Sequence, residues 1–444
     1  MSSKIITRFP PSPTGNLHIG NIRTMLFNYL FTRKQGGEIV MRFEDTDTQR
    51  SSKEFEVIAL ETLEALGLEY DHGPFRQSER TDRYVAALQQ LIEKGVAYVA
   101  EESEGEPGKH IVRFRNPNKK ITFVDVIRGE ITIDTTDFGD FIIARSETNP
   151  LYHLSVVVDD LEMGITHVIR GEDHITSTPR QILLIEALGG STPVYAHLPL
   201  IIGPDKKKLG KRHGAVTYQE FRELGYIPAG IINYLALLGW HPSNDQEFFT
   251  KEELVQTFSL ERVNNSSAMF SYEKLDSINK YHLSQLPQPE YLEYLKRFLQ
   301  QHPFGATLLE HPHFDMLVEM VLRERIEKFS DILVMIENGE LDWLTTSVTV
   351  DVNTLVWKET PKEATREHLE QVVSLLLNCP RWSPEVIKEA VWPYAEACGR
   401  GEVLWPTRYA LTGQKKSPDP FTVAALLGKE ENVNRLRTAV ELLK

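Results

Sequence analysis

Four short stretches carry residues suited to phosphate and carboxylate chemistry. In "RFPPSPTGNLHIGN", Arg8 to Asn21, an apolar run ends in three prolines and two glycines ahead of a helical pattern. A strand that turns through a tight loop into a helix N-terminus offers an anion free backbone N–H groups and the positive end of the helix dipole. Gly15 and Gly20 would let a flat base or a phosphate approach the backbone, and His18 could donate to a phosphate oxygen. "DKKKLGKRHG", residues 205–214, is a loop dense in lysine, a mobile point charge that suits a triphosphate. "RFEDTD" ends a buried run on Glu44 and Asp45, and Glu44 could hold an ammonium group. "HVIRGEDHI", residues 167–175, puts Arg170, Glu172, Asp173 and His174 at the end of another run.

Each stretch alone has a simpler account. Pro10, Pro11 and Pro13 could merely stiffen a turn that leaves His18 on the surface, and composition alone favours that account. The lysine loop could be a solvated basic loop, Glu44 a cap or surface acid, and residues 170–174 a structural salt-bridge cluster. Position argues otherwise, because ligands of open α/β sheets gather outside the carboxyl ends of strands.

The surrounding elements fit such a sheet. "KIITRF" reads as a strand, and the spacing of Ile22, Met25, Leu26, Tyr29 and Leu30 is helical. "GGEIVMRFEDTD" gives a second strand. Ser51 and Glu54 form a capping-box pattern ahead of Phe55, Ile58, Leu63 and Leu66. Strand–helix–strand–helix begins a doubly wound α/β domain. A helix is expected from about Glu79 to Lys94. Between about 100 and 150, after a polar loop "EESEGEPG", the sequence turns to short strands: a β-rich insertion. The α/β pattern resumes at Tyr152, with a strand "ITHVIRGED" and a helix from about Pro179 to Leu188. Thr217 with Glu220 suggests a second capping box, and Pro228 suits the first position of a helix. After about Gln285 only helical patterns remain.

Composition narrows the class. The length of 444 residues suggests about three domains. No run approaches the ~18 apolar residues of a membrane span, and the N-terminus lacks a signal-peptide pattern, which points to a cytoplasmic protein. A formal net charge of −14 argues against a nonspecific nucleic-acid coat, though not against one basic face. Cys379 and Cys398 stand apart from each other and from any histidine cluster, so two inert buried thiols are expected.

The combination of "RFPPSPTGNLHIGN" with the later "KLGKR" resembles the two signature motifs of class I aminoacyl-tRNA synthetases. "PSPTG", "RFEDTD", "YHLSVVVDDLEMGITHVIRGEDHITSTPRQ", "YALTG" and "ALLGKE" narrow the resemblance to the glutamyl-tRNA synthetase family, over essentially the whole chain. The resemblance implies an α/β Rossmann-type catalytic domain with a parallel sheet and a β-rich insertion, followed by an all-α anticodon-binding region. Its boundaries would be residues 1–95 and 151–240 for the two Rossmann halves, 96–150 for the acceptor-stem insertion, 241–290 for a connecting domain and 291–444 for the helical region. It further implies ATP, Mg²⁺ carried with ATP, L-glutamate and tRNA(Glu) as ligands, with tRNA(Gln) open as a second acceptor, and a monomer.

By the same resemblance, Arg8 and Arg170 would face the glutamate side-chain carboxylate with Tyr152 alongside, and Ser12 and Glu44 the α-amino group. Thr14, His18 and Gly20 would lie against ATP, Asp173 near its ribose or adenine, and Lys208 and Lys211 against its phosphates. The chain departs from the family pattern at Asn21, where the first signature often has histidine, and at Gly210, where the second usually has serine. It has no cysteine in the insertion, so it resembles the zinc-free type. In the tail, Arg381, Arg400, Arg408, Lys415 and Lys416 are candidate phosphate contacts. Trp382, Trp392, Trp405 and Tyr409 could stack on bases but are more simply core.

The rivals are a glutaminyl-tRNA synthetase, a tRNA-base-modifying paralogue, an idle RNA-binding paralogue and a small-acid nucleotidyltransferase. Each fits less of the chain: the first reads its anticodon with β-barrels, the second lacks the tail, the third has no use for both signatures and the fourth none for the tail.

Overall fold

A computed structural model describes residues 4–47, 49–101, 110–214 and 216–444; the side chains of Lys211 and Phe304 lie outside that description, as does all of "EESEGEPG" beyond Glu101. The chain divides into two compact units, Met1–His282 and Leu283–Lys444.

The first unit is built on parallel strands. β1 (Ile6–Phe9), α1 (Ile19–Lys34), β2 (Glu38–Phe43), α2 (Lys53–Ala65) and β3 (His72–Arg76) follow in order. β1 pairs with β2, Arg8 opposite Val40, and β2 pairs with β3, all parallel. β3 is not evident in the sequence, because "HGPFR" has no apolar alternation and contains a proline. It is an edge strand, where a missing N–H is tolerated. A 3₁₀ turn, Gln77–Arg80, then precedes α3 (Thr81–Glu93), so the α-helix starts two residues later than expected.

The β-rich stretch supplies β4 (Ala97–Glu101), β5 (His110–Phe114), β6 (Lys120–Asp125), β7 (Gly129–Asp134), β8 (Phe141–Ser146) and β9 (Asn149–Pro150). It forms two groups. β4, β5, β8 and β9 make an antiparallel sheet of their own, while the β6–β7 hairpin joins the main sheet. Then come α4 (Tyr152–Glu162), β10 (His167–Gly171), α5 (Thr178–Leu188), β11 (Val194–Leu198) and β12 (Ile201–Ile202). β10 lies beside β1, where Thr166 N–H donates to Ile6 O at 2.9 Å. β10 pairs in parallel with β11, and β11 meets β6 at Tyr195 opposite Asp125.

Apolar side chains cover both faces of these strands. Phe9, Ile39, Met41 and Phe43 pack with Ile22, Leu26 and Trp240 in one cluster; Val40 and Val168 pack with Leu88, Leu154 and Ile182 in the other. This burial on both faces is why the strands read as near-continuous apolar runs.

The rest of the unit is helical: α6 (Tyr218–Glu223), α7 (Pro228–Leu237), α8 (Lys251–Thr257) and α9 (Tyr272–Gln285), with a short β13 (Ala268–Met269) paired to β12. The capping box of Thr217 and Glu220 is present, and Pro228 opens α7. The cap of α2 is Ser52, not Ser51: Ser52 Oγ accepts from Phe55 N–H at 3.3 Å. The Ser52 N–H is held by Pro13 O at 3.0 Å, and this tertiary bond sets the helix start.

Within the second unit every described segment of regular structure is helical, the longest being Lys362–Leu377, Pro384–Cys398, Arg400–Thr412 and Lys429–Glu441. Leu369, Val372, Val403, Leu411 and Leu436 form its apolar interior. Cys379 is buried as expected, but Cys398 is only half-buried, at the end of its helix.

Candidate active site

A cleft of about 890 Å³ opens at the carboxyl ends of β1 and β10. Thr14, His18, Gly20, Arg170, Asp173 and Lys208 all line it. A second cavity of about 580 Å³ shares Thr14, His18 and His174 with the first and adds Ser12, Glu44 and Tyr152. The opening loop is therefore the common wall of two adjoining subsites.

His18 is the N-cap of α1. Its Nδ1 accepts from Gly20 N–H at 3.0 Å, which leaves Nε2 as the N–H donor of the neutral ring. The backbone is fixed as well, because Ile19 N–H donates to Val216 O at 2.8 Å and His18 bridges Thr217. A Cβ on Gly20 would lie 2.7 Å from His18 Cε1, so only glycine lets the ring sit there. His18 is open to solvent, yet the surrounding cleft desolvates its charged form. That and the nearby Lys208 charge lower its pKa, against an opposing pull from Asp173.

The lysine loop is a turn anchored by Leu209 N–H to Ile201 O at 3.0 Å. Asp205 pairs with Arg212 and His213, each at 3.0 Å. Among the described residues Lys208 has no such ion pair and faces the cleft. Lys211 opens a short 3₁₀ turn, but its side chain lies outside the description. At Gly210 a Cβ would meet nothing within 4 Å.

Glu44 follows β2, with its N–H held by Pro11 O at 3.0 Å. Burial pushes its carboxyl up to about 7, although Arg42 and Arg8 pull the other way. Arg42 sits 3.7 Å from Glu44 but is committed to Asp160 at 2.9 Å and Asp159 at 3.4 Å. These two acids anchor a buried lattice. Asp160 also takes Arg8 Nε at 3.4 Å, while Asp159 accepts from Arg80 at 2.7 Å, Gln77 at 2.9 Å and Tyr84. Arg8 is only 2% exposed and lines neither cavity; it stands behind the wall, where its charge reaches Glu44 and Tyr152. Arg42, Asp159 and Asp160 carry no motif that marks them in the sequence. What signal there is lies in "VVVDD", two acids continuing the apolar stripe of a helix.

Arg170 is 6% exposed and reaches the cleft wall. Its Nε donates to His197 Nε2 at 3.1 Å, one Nη to Gln181 Oε1 at 2.8 Å and the other to Thr178 Oγ1 at 2.8 Å. All three partners are neutral acceptors, and no ion pair to Arg170 occurs among the described residues. Tyr152, whose hydroxyl lies 3.4 Å from His174 Nδ1, is raised in pKa first by burial and then by Glu44, with Arg170 and Arg8 opposing. It therefore senses the buried carboxyl and the buried guanidinium together.

Among the described residues no group of three or more His, Cys, Asp or Glu could hold a metal ion. No described helix is long and apolar enough to cross a membrane. In the helical unit, Trp382 and Trp405 spend their indole N–H groups on the carbonyls of Ala424 and Thr354. Both rings, like Trp392, are half-buried, while Tyr409 is buried. Arg408 lies over Trp405 and donates to Lys415 O at 2.9 Å, and Arg400 lies over Trp392. Arg381, Lys415 and Lys416 are exposed.

Comparison with known proteins places this architecture. Residues 4–107 and 100–277 match the family described as tRNA synthetases class I (E and Q), catalytic domain. Residues 280–440 match the anticodon binding domain family. Fold and cleft together are those of a class I aminoacyl-tRNA synthetase. Glutamate–tRNA ligase 1 of Alkalilimnicola ehrlichii is 38% identical, over 99% of this chain and 98% of that protein. Glutamate–tRNA ligase 1 of Acidithiobacillus ferrooxidans is 39% identical, over 98% of each. The solved glutamate-tRNA synthetase of Elizabethkingia anophelis superposes with a TM-score of 0.86 at 29% identity, over 99% of this chain and 100% of that one. A glutamate tRNA ligase of Elizabethkingia meningosepticum, solved with its amino acid, gives 0.84 at 29% identity over the whole of both chains. The chain belongs to the glutamate and glutamine branch of the class I synthetases.

Proposed function

We propose that this protein ligates L-glutamate to tRNA(Glu) in the cytoplasm, through an ATP-derived glutamyl adenylate. The observation that carries the choice of amino acid is the pairing of Arg170 with Glu44. A buried guanidinium held only by neutral acceptors lacks a counter-charge. A buried carboxyl near pKa 7 has, among the described residues, no cation closer than Arg42, 3.7 Å away and shared with Asp159 and Asp160. Glutamate supplies both, with its side-chain carboxylate toward Arg170 and its ammonium toward Glu44 and Ser12. Glutamine would leave Arg170 uncompensated, which favours glutamate over its amide.

The glutamate α-carboxylate is ionised at neutral pH, so its attack on the α-phosphorus of ATP needs no general base. The protein's work is positioning and charge stabilisation. His18 offers its Nε2–H, Thr14 and the N-terminus of α1 offer further donors, and Lys208 and Lys211 offer positive charge to the phosphates. Gly20 keeps His18 in place, and Asp173 lies toward the ribose or adenine. Mg²⁺ would be carried by the phosphate oxygens of ATP. The terminal ribose hydroxyl of tRNA, the 2′-hydroxyl by the class I likeness, then attacks the adenylate.

The strands of residues 96–150 would meet the acceptor stem, residues 241–290 would connect, and residues 291–444 would read the anticodon. The helical nature of that last region favours the glutamate enzyme over its glutamine counterpart. A monomer suffices for this work. Glutamate-dependent pyrophosphate exchange, with tRNA present, tests the assignment: Lys211→Ala and Arg170→Ala should each lose most activity, and near-wild-type rates in both would sink it. Acylation assays with purified tRNA(Glu) and tRNA(Gln) settle the acceptor.

A further inference from the structure

Arg170 is held at its Nε by a histidine that is itself held by an aspartate from a different part of the fold. His197, on β11, is 0% exposed, and Asp125, at the end of β6, is 1% exposed. The bond from Arg170 Nε to His197 Nε2 fixes the protonation pattern. An arginine Nε can only donate, so His197 Nε2 must be the lone-pair nitrogen and the ring proton must sit on Nδ1. Nδ1 lies 2.7 Å from Asp125 Oδ2, which accepts that proton's hydrogen bond.

Asp125 cannot turn away. Its Oδ2 also accepts from His197 N–H at 3.0 Å, and its Oδ1 accepts from the N–H groups of Ile127 and Arg128, each at 3.0 Å. Every contact it makes is with a donor, so it is required as an acceptor at both oxygens. The β6–β7 turn that it closes is wired to the cleft a second time. Arg128 bonds Glu172, the neighbour of Asp173, and donates from Nε to His197 O at 3.3 Å.

We propose that Asp125 and His197 are positioning residues for amino-acid recognition: Asp125 holds His197 in the tautomer whose Nε2 accepts from Arg170, and so aims the guanidinium at the glutamate side-chain carboxylate. This rests on the reading of Arg170 given above. In this relay neither residue touches substrate, and the buried His197 ring fills the space between Tyr195, stacked at 5.9 Å, and Phe123.

Asp125→Asn is the sharpest test. An amide has one acceptor where two are needed, so its NH₂ must face either the two turn N–H groups or His197 Nδ1. In the second case the ring flips its proton to Nε2, against Arg170. Asn at this position should raise the KM for glutamate about tenfold while the KM for ATP stays within about twofold. His197→Phe, which keeps the ring packing, should do the same should Asp125→Asn not fold. His197→Gln, whose amide oxygen can accept from Arg170 without a tautomer to fix, should recover much of the affinity in the Asp125→Asn background.

The assays use the full chain with tRNA, with thermal melts to show that each variant is folded. An unchanged KM for glutamate in folded Asp125→Asn or His197→Phe overturns the relay. So does a parallel rise in both KM values, which marks a scaffold role. Arg170→Lys separates the two levels. If it raises the KM for glutamate and the relay variants do not, the relay fails and the Arg170 reading stands. If Arg170→Lys leaves that KM unchanged, the Arg170 reading fails and the relay falls with it.

Discussion

Glu44 gives the most quantitative handle on the amino-acid subsite. Its carboxyl sits near pKa 7, against an ordinary value of 4.5, because burial outweighs the pull of Arg42 and Arg8. An ammonium group placed beside it would favour the ionised form and expel the proton. Glutamate should then bind only to the ionised fraction, roughly one-eleventh near pH 6 and ten-elevenths near pH 8, so its affinity should rise about tenfold across that window. Near pH 7 about half a proton should be released per glutamate bound.

The sign for stability is opposite. Between the unfolded value and about 7 the folded state holds the extra proton, so this group's contribution falls as pH rises, by about 3 kcal/mol in all. Glu44→Gln should therefore flatten the stability profile in that range, abolish proton release and weaken glutamate binding by about a hundredfold. Calorimetry in two buffers of different ionisation enthalpy reads the proton directly. Affinity that stays flat from about pH 6 to pH 8, with no buffer dependence of the heat, would refute the assignment of Glu44 as the ammonium receptor.

Other variants probe the opening loop and its supports. Gly20→Ala puts a methyl against the His18 ring and should cut pyrophosphate exchange by about ten- to a hundredfold; a wild-type rate would show that His18 need not sit where it does. Gly210→Ser places its side chain in open space at a backbone conformation any residue adopts, so the melting temperature should hold within a few degrees and exchange activity should be retained; loss of either would mean the loop closes more tightly than its free form. Ser52→Ala should cost about 1 kcal/mol in urea unfolding, whereas Ser51→Ala, which removes a buried hydroxyl with no partner, should be neutral or stabilising; the reverse order would move the cap.

Local chemistry was legible in the sequence and tertiary chemistry was not. Thr217 with Glu220, Pro228, and the lysine loop after a strand all declare themselves through neighbours a few residues away. Ser51 and Ser52 could not be told apart that way, because the choice is made by Pro13, far back in the chain. β3 leaves no periodic signal because an edge strand need not be apolar. At the site, residue type is enough to suggest opposite charges for Arg170 and Glu44. It could not show that Arg8, equally a guanidinium at a strand end, is buried against Asp160. Nor could it separate Asp125 or His197 from ordinary strand residues. Their meaning lies in a contact across 72 positions of chain.

The junction of the β6–β7 hairpin with the main sheet also bears on how such a chain can be rebuilt. The ladder between β11 and β6 is a single residue pair, Tyr195 with Asp125. By backbone alone the hairpin is a loosely attached module, the sort that recombination could exchange for another. Its side chains make it an obligate component. A transplanted hairpin lacking an aspartate and an arginine at the corresponding places would leave His197 Nδ1 without its acceptor and Glu172 with the Leu200 N–H alone. Chimeras cut at the ends of the inserted strands should therefore express and fold yet lose amino-acid selectivity, unless Asp125 and Arg128 travel with the recipient sheet.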